Sequence, residues 1–298
     1  MNVIDMRCRP AYLHDFFGAT PGSAANDTAR WLNRRVGTRG DDEHYARSRT
    51  LEGFLAEITD AHLTQAVVVG RHTPAQHLPN DRIHDIVRSD ARLVGIGAVD
   101  PSLLGEAATL AEVDRAVQGL GLAGVNLEPG FGTPARHPDD RIFYPVYERL
   151  SELGVPAFLM SGPTTPDQRY NDPAPLARVA ADFPHLRLVA YHGYWPNVQQ
   201  LLGVAFRHAN VFLVPDMYLF LPGSEVLVDA ANGFLSEQLL FGSSYPFRPI
   251  TQSIEDAQRL GLREHVLDKF FYANARQLLS RARTAAAAAR LMPSRCGR

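Results

Sequence analysis

Leu239-Leu240-Phe241-Gly242-Ser243-Ser244-Tyr245-Pro246-Phe247-Arg248-Pro249 decides how this chain is read. An apolar run of strand character meets a Gly-Ser-Ser corner that carries hydroxyls. Pro246 and Pro249 stop regular structure beyond it, because proline lacks an N–H and biases the residue before it away from helix. An apolar strand ending in a polar elbow is how parallel-sheet proteins present reactive groups at one end of the sheet. Outward from this stretch the unit recurs seven times upstream. Apolar runs at 3–6, 65–70, 93–99, 124–129, 156–162, 187–193 and 211–214 alternate with helical spacing at 51–58, 83–88, 107–120, 144–153, 175–183, 198–207 and 225–234. Helices at 254–260 and 264–279 close the pattern. Eight such units predict an α/β fold, a (β/α)8 barrel forming one domain over residues 1–280, with its site at the C-terminal strand ends. A doubly wound open sheet fits less well, since no glycine-rich phosphate loop follows the first strand. Residues 11–50 are too long for a simple connection and predict an insertion that caps the site. The Ala/Arg-rich stretch 281–298 predicts a tail.

Charge narrows the function classes. With 30 basic against 32 acidic residues the net charge is −2, which gives no electrostatic case for nucleic acid or an anionic membrane as partner. No run of 18 apolar residues and no signal-peptide pattern occurs, so a cytoplasmic protein is expected. Two cysteines, Cys8 and Cys296, exclude a disulfide scaffold and fit a reducing compartment. No cofactor motif is present, and none is expected.

The last residues of the predicted strands assemble a candidate site: Arg7 and Arg9; Arg71 and His72; Asp100; Asn126 and Glu128; Met160 and Ser161; Tyr191 and His192; Asp216; Ser243, Ser244 and Tyr245, with Arg248 just beyond. Charged groups at the mouth of an apolar barrel pair with one another or meet a ligand, because unpaired burial costs several kcal/mol each. Arg7 and Arg9, two apart on one strand, share a face. His14, His44, Arg47 and Arg49 lie in the insertion and read as solvated surface, and Cys8 is assigned no chemistry.

Taken together, Leu93-Val94-Gly95-Ile96 before Asp100-Pro101, Val125-Asn126-Leu127-Glu128-Pro129, Phe143-Tyr144-Pro145-Val146-Tyr147-Glu148, Ala190-Tyr191-His192-Gly193-Tyr194-Trp195-Pro196 and the Gly242-Ser243-Ser244-Tyr245-Pro246 corner resemble the amidohydrolase-2 family over roughly residues 3–280. That family contains metal-dependent decarboxylases of the aminocarboxymuconate-semialdehyde and resorcylate type, lactonases and hydratases. The resemblance implies a metal site built from a His-x-His pair on strand one, histidines on strands five and six and an aspartate on strand eight. Here those positions hold Arg7, Arg9, Met160, His192 and Ser244, and only His192 matches. A zinc site needs about three nitrogen, oxygen or sulfur ligands, and two guanidiniums repel a dication. The expectation is therefore no metal, with arginine charge in its place. The family's pyrone-dicarboxylate lactonases are a metal-independent branch, but they use the strand-eight aspartate that this sequence lacks.

The resulting expectation is a metal-independent enzyme hydrolysing a lactone, ester or amide bond in a small carboxylate-bearing substrate. Arg7 and Arg9 bind and polarise the anion, His192 moves the proton, Glu128 is an acid/base or the counter-ion of Arg7, and Asp216 orients His192 or pairs an arginine. Arg71, Asn126, Ser161, Tyr191, Ser243, Ser244, Tyr245 and Arg248 contact substrate. Gly-Ser-Ser-Tyr-Pro is not a nucleophile elbow, so its serines are read as hydrogen-bonding groups. The alternatives are a metal-free lyase (decarboxylase or cyclase) of the same fold and a binding protein that has lost catalysis. The resemblance also implies a homodimer.

Overall fold

The structure is a computed structural model and is described for residues 1–13, 18, 20–39 and 43–280. His14, Phe16 and Phe17 of the insertion, and the tail 281–298 with Cys296, lie outside the described residues.

Nine strands form in chain order: β1 (Ile4–Cys8), β2 (Gln65–Val69), β3 (Arg71–Thr73), β4 (Gln76–Leu78), β5 (Leu93–Ala98), β6 (Val125–Leu127), β7 (Ala157–Met160), β8 (Leu188–Tyr191) and β9 (Val211–Val214). Seven make one parallel sheet in the order β1-β2-β5-β6-β7-β8-β9. The Val, Ile and Leu runs that compose these strands are buried almost throughout, as expected when helices cover one side and side chains fill the other. Thr50 starts the helix Leu51–Asp60 by accepting from the Gly53 N–H at 3.0 Å. Asp100 likewise caps the turn after β5, accepting from Ser102 N.

The eighth unit differs from expectation. Residues 239–245 close the barrel without a continuous ladder. They bridge β9 at Leu213–Leu239 and β1 at Cys8–Tyr245, and Met6 N donates to Phe241 O at 3.0 Å and Arg9 N to Tyr245 O at 2.8 Å. The register of β1 on β2 also shifts between Asp5 and Cys8. Such irregularities re-aim side chains next to active sites. This closure is an irregular seam.

Two elements were not anticipated. β3 and β4 form an antiparallel hairpin directly after β2, which places Arg71 at the mouth. The insertion contains helix α1 (Ala24–Arg35), with Ser23 accepting from Asn26 N as its cap, and Thr28, Trp31 and Leu32 of α1 face the same cavity as Arg7 and His192 of the C-terminal strand ends. His44, read as solvated, is instead buried, with Nε2 3.1 Å from Pro246 O. Among the described residues no helix is long and apolar enough to cross a membrane.

Candidate active site

A cavity of about 240 Å³ opens at the C-terminal end of the barrel. Its polar wall is made by Arg7, Arg9, Arg71, His192 and Ser244, with Thr28 and Thr164. The rest is apolar: Trp31 and Leu32 of α1, Phe131, Met160, Met217 and Phe247, together with the ring of Tyr245.

Two of the three guanidiniums share one carboxylate. Glu128 Oε2 lies 2.8 Å from Arg71 Nη2, and its Oε1 lies 3.4 Å from Arg9 Nη2. Asn126 Nδ2 donates to the same Oε1 at 2.9 Å, and Arg9 also donates to the carbonyls of Val69 and Gly70 at 2.8 and 2.9 Å. Burial, and then the neighbouring Arg7 cation, weaken Arg9's hold on its proton, while Glu128 opposes them. Among the described residues Arg7 has no carboxylate partner. It is 5% exposed, its Nε and Nη1 have no hydrogen-bond partner, and Nη2 points at the thioether of Met160 at 3.0 Å. The Tyr191 ring lies 5.0 Å beneath the cation. A thioether is a weak acceptor, so Arg7 retains nearly all of its capacity to bind an anion.

His192 and Asp216 form the second half of the site. His192 Nδ1 is 2.8 and 3.0 Å from the two Asp216 oxygens, which assigns the proton to Nδ1 and leaves the Nε2 lone pair for chemistry. Burial pushes the His192 pKa below its usual value, Asp216 pulls in the other direction, and Arg7 and Arg9 add to the lowering. The imidazole is thus held neutral, as a base. Both residues sit at strand ends in the left-handed region, His192 at φ 64° and Asp216 at φ 45°, and Ser244 joins them at φ 61°. Strained non-glycine backbone of this kind clusters where function needs it. Two close approaches make room: a Cβ on Gly242 would meet Arg7 Cβ at 3.2 Å, and one on Gly162 would meet His192 Cβ at 3.0 Å. Ser244 Oγ is buried on the cavity wall without a partner.

For Glu128 and Asp216 the geometry selects among the roles the sequence left open, and it takes several other residues off the cavity. Glu128 is the counter-ion of Arg9 and Arg71, held behind the cavity wall. Asp216 orients His192. Asn126 holds Glu128. Ser161 donates to Asn171 Oδ1 at 2.8 Å, Tyr191 OH to Met6 O at 2.8 Å, and Ser243 Oγ accepts from Tyr245 N at 2.9 Å; all three lie outside the cavity lining. Arg248 is 2% exposed and engaged with Asp256 and the Val36 carbonyl, so it straps down the end of α1 and is not a substrate clamp. Arg7, Arg9, Arg71, His192, Ser244 and Tyr245 do meet at the cavity. Of the roof residues, Trp31 stood out in the sequence as an aromatic of the insertion that would dry the pocket, whereas Thr28 and Leu32 had no signal beyond the insertion's length. Asp5, buried inside β1 with Oδ1 on the Arg7 and Ser243 N–H groups, was missed because one acid in an apolar strand carries no spacing signal.

A resident divalent metal does not fit this donor set. Among the described residues no three His, Cys, Asp or Glu side chains come together where they could hold an ion, and cations line the place where ligands would be needed.

A family model described as Amidohydrolase matches residues 4–281. A 2-keto-4-carboxy-3-hexenedioate hydratase of Sphingobium sp. (strain NBRC 103272 / SYK-6) is 31% identical over 164 residues. That match covers 45% of this chain and 47% of the hydratase, so it spans about half the length of that protein. An uncharacterized TIM-barrel protein from Bordetella bronchiseptica superposes with a TM-score of 0.85 at 32% identity, covering 95% of this chain and 99% of the other. A 4-oxalomesaconate hydratase from Rhodopseudomonas palustris (TM-score 0.64, 16% identity, 96% and 98% covered) shares the fold.

Proposed function

This chain belongs to the amidohydrolase family, and we propose that it is a metal-independent enzyme acting on a small carboxylate-bearing substrate, with guanidinium charge where relatives place a metal. The observation that supports this most is Arg7, a buried cation without a counter-ion among the described residues, on the same cavity as a His192–Asp216 pair. The substrate's anionic or carbonyl oxygen accepts from Arg7, and Arg9 and Arg71 add positive field. In hydrolysis, His192 Nε2 takes a proton from water as its oxygen bonds to the carbonyl carbon. Arg7 stabilises the resulting oxyanion, and the imidazolium returns the proton to the leaving group as the lactone, ester or amide bond breaks. Asp216 holds the ring in the required tautomer and stabilises its cationic form.

A second reading, lyase chemistry, is favoured by two specific observations. The roof and far wall are apolar, and the similar Sphingobium protein is a hydratase. In hydration of a double bond conjugated to the carboxylate, His192 Nε2 takes a proton from water as its oxygen bonds to the β-carbon, the π electrons pass into an enolate held by Arg7, and the resulting imidazolium returns the proton to the α-carbon. The test is turnover in chelator against a panel of lactones, esters, unsaturated acids and aromatic carboxylates, repeated with Arg7→Ala and His192→Ala. Loss of turnover in both variants supports the assignment, and the product identifies hydrolysis or lyase chemistry. Carboxylate binding without turnover on any substrate favours a binding protein.

A further inference from the structure

The seam of the barrel is where the two halves of the anion site meet, and one side chain spans it. Arg7 comes from β1, and Ser244 from the segment 239–245 that closes against β1 without a continuous ladder. The register shift between Asp5 and Cys8 interrupts regular pairing on one side of β1. Asp5 supplies the missing acceptor. Its Oδ1 takes the Arg7 N–H at 2.9 Å and the Ser243 N–H at 3.0 Å, one from each side of the seam. It is fully buried, it does not line the cavity, and among the described residues it has no ion-pair partner. Burial lifts its carboxyl to about 6, so at neutral pH the protein keeps an unpaired carboxylate inside the barrel.

We propose that Asp5 is a positioning residue that sets Arg7 and Ser244 against each other across the seam, so that guanidinium and hydroxyl converge on one carboxylate of the substrate. Both residues carry polar atoms with no protein partner, Nε and Nη1 of Arg7 and Oγ of Ser244, and both backbones are fixed through the same oxygen, Ser244 through its neighbour Ser243. The inference rests on the carboxylate reading of the cavity. It concerns geometry, because Asp5 has no route to the substrate.

Calorimetric titration of the full chain with benzoate, well below the melting temperature, tests it. Wild type binds benzoate. Asp5→Asn, which keeps the oxygen acceptor, is expected within threefold of wild type, and Asp5→Ala at least tenfold weaker while still folded by circular dichroism. Asp5→Ser, whose hydroxyl is one bond too short to reach both N–H groups, takes the place of Asp5→Ala if that variant does not fold, with the same tenfold loss expected. A purely structural Asp5 would lower the melting temperature and leave the benzoate affinity of the folded variants unchanged, which overturns the proposal. No benzoate binding by wild type overturns it together with the carboxylate reading, whereas binding that is indifferent to Asp5 leaves that reading standing.

Discussion

Replacing Arg7 with methionine should make this protein more stable and less functional. Methionine follows the unbranched stem of arginine and stops short of the guanidinium carbon, so the change removes charge and donors while keeping the apolar stem. In the wild type, Nε and Nη1 are enclosed without partners, and each unsatisfied buried donor costs about 1–3 kcal/mol. The Tyr191 face, 5.0 Å away, returns about 1–2 kcal/mol through its quadrupole. The balance leaves Arg7 destabilising by up to about 5 kcal/mol. For a domain of this size that corresponds to a rise of up to about 10 °C in melting temperature for Arg7→Met. The assay is a thermal melt of both proteins, with and without benzoate. Benzoate should raise the wild-type midpoint, because a ligand that binds only the folded state stabilises it by mass action, and should leave Arg7→Met unmoved. A drop of several degrees in the apo variant would refute the reasoning, since it would make Arg7 a structural group with a partner unaccounted for. Such a trade of stability for function is common at active sites.

Burial lowers the His192 pKa and Asp216 raises it, so the acid limb of kcat/KM should lie below pH 6.5; Asp216→Asn should move it lower still and cut turnover about 10²–10⁴-fold through loss of the tautomer, both read from pH–rate profiles. Asp5 ionises near 6 when folded against 3.8 when unfolded. The folded state therefore holds that proton more tightly, its contribution to stability falls as pH rises from about 4 to 6, and above pH 6 it costs roughly 3 kcal/mol; Asp5→Asn should flatten this part of a urea-denaturation series against pH. Arg248→Ala should cost about 2–4 kcal/mol by leaving the Val36 carbonyl and part of Asp256 unpaired, and, by freeing α1, should change the emission of Trp31.

The barrel was legible because its signals are local. A buried parallel strand reads as an apolar run, and the abrupt change to Arg, His, Asp or Ser marks where each strand reaches the mouth. The shared face of Arg7 and Arg9 follows from the strand repeat of two. What failed to show is set by distance along the chain. Arg248 and Glu128 look equally exposed to substrate in sequence, yet Arg248 bonds to Val36, 212 residues away, and Glu128 is taken up by Arg9 and Arg71. The eighth strand was expected to be regular, but residues 239–245 make only isolated bridges to β9 and β1, and Ser244 within them takes a left-handed backbone that a regular ladder does not hold. α1 was hidden because a roof over a cavity needs only a few apolar side chains on one turn of an otherwise polar helix.

If arginine charge does the work of a metal at this site, the purified full chain, never exposed to chelator, should hold zinc, manganese and iron each far below one equivalent by plasma mass spectrometry. One equivalent of any of them, retained through gel filtration and lost in His192→Ala, would contradict that role for arginine.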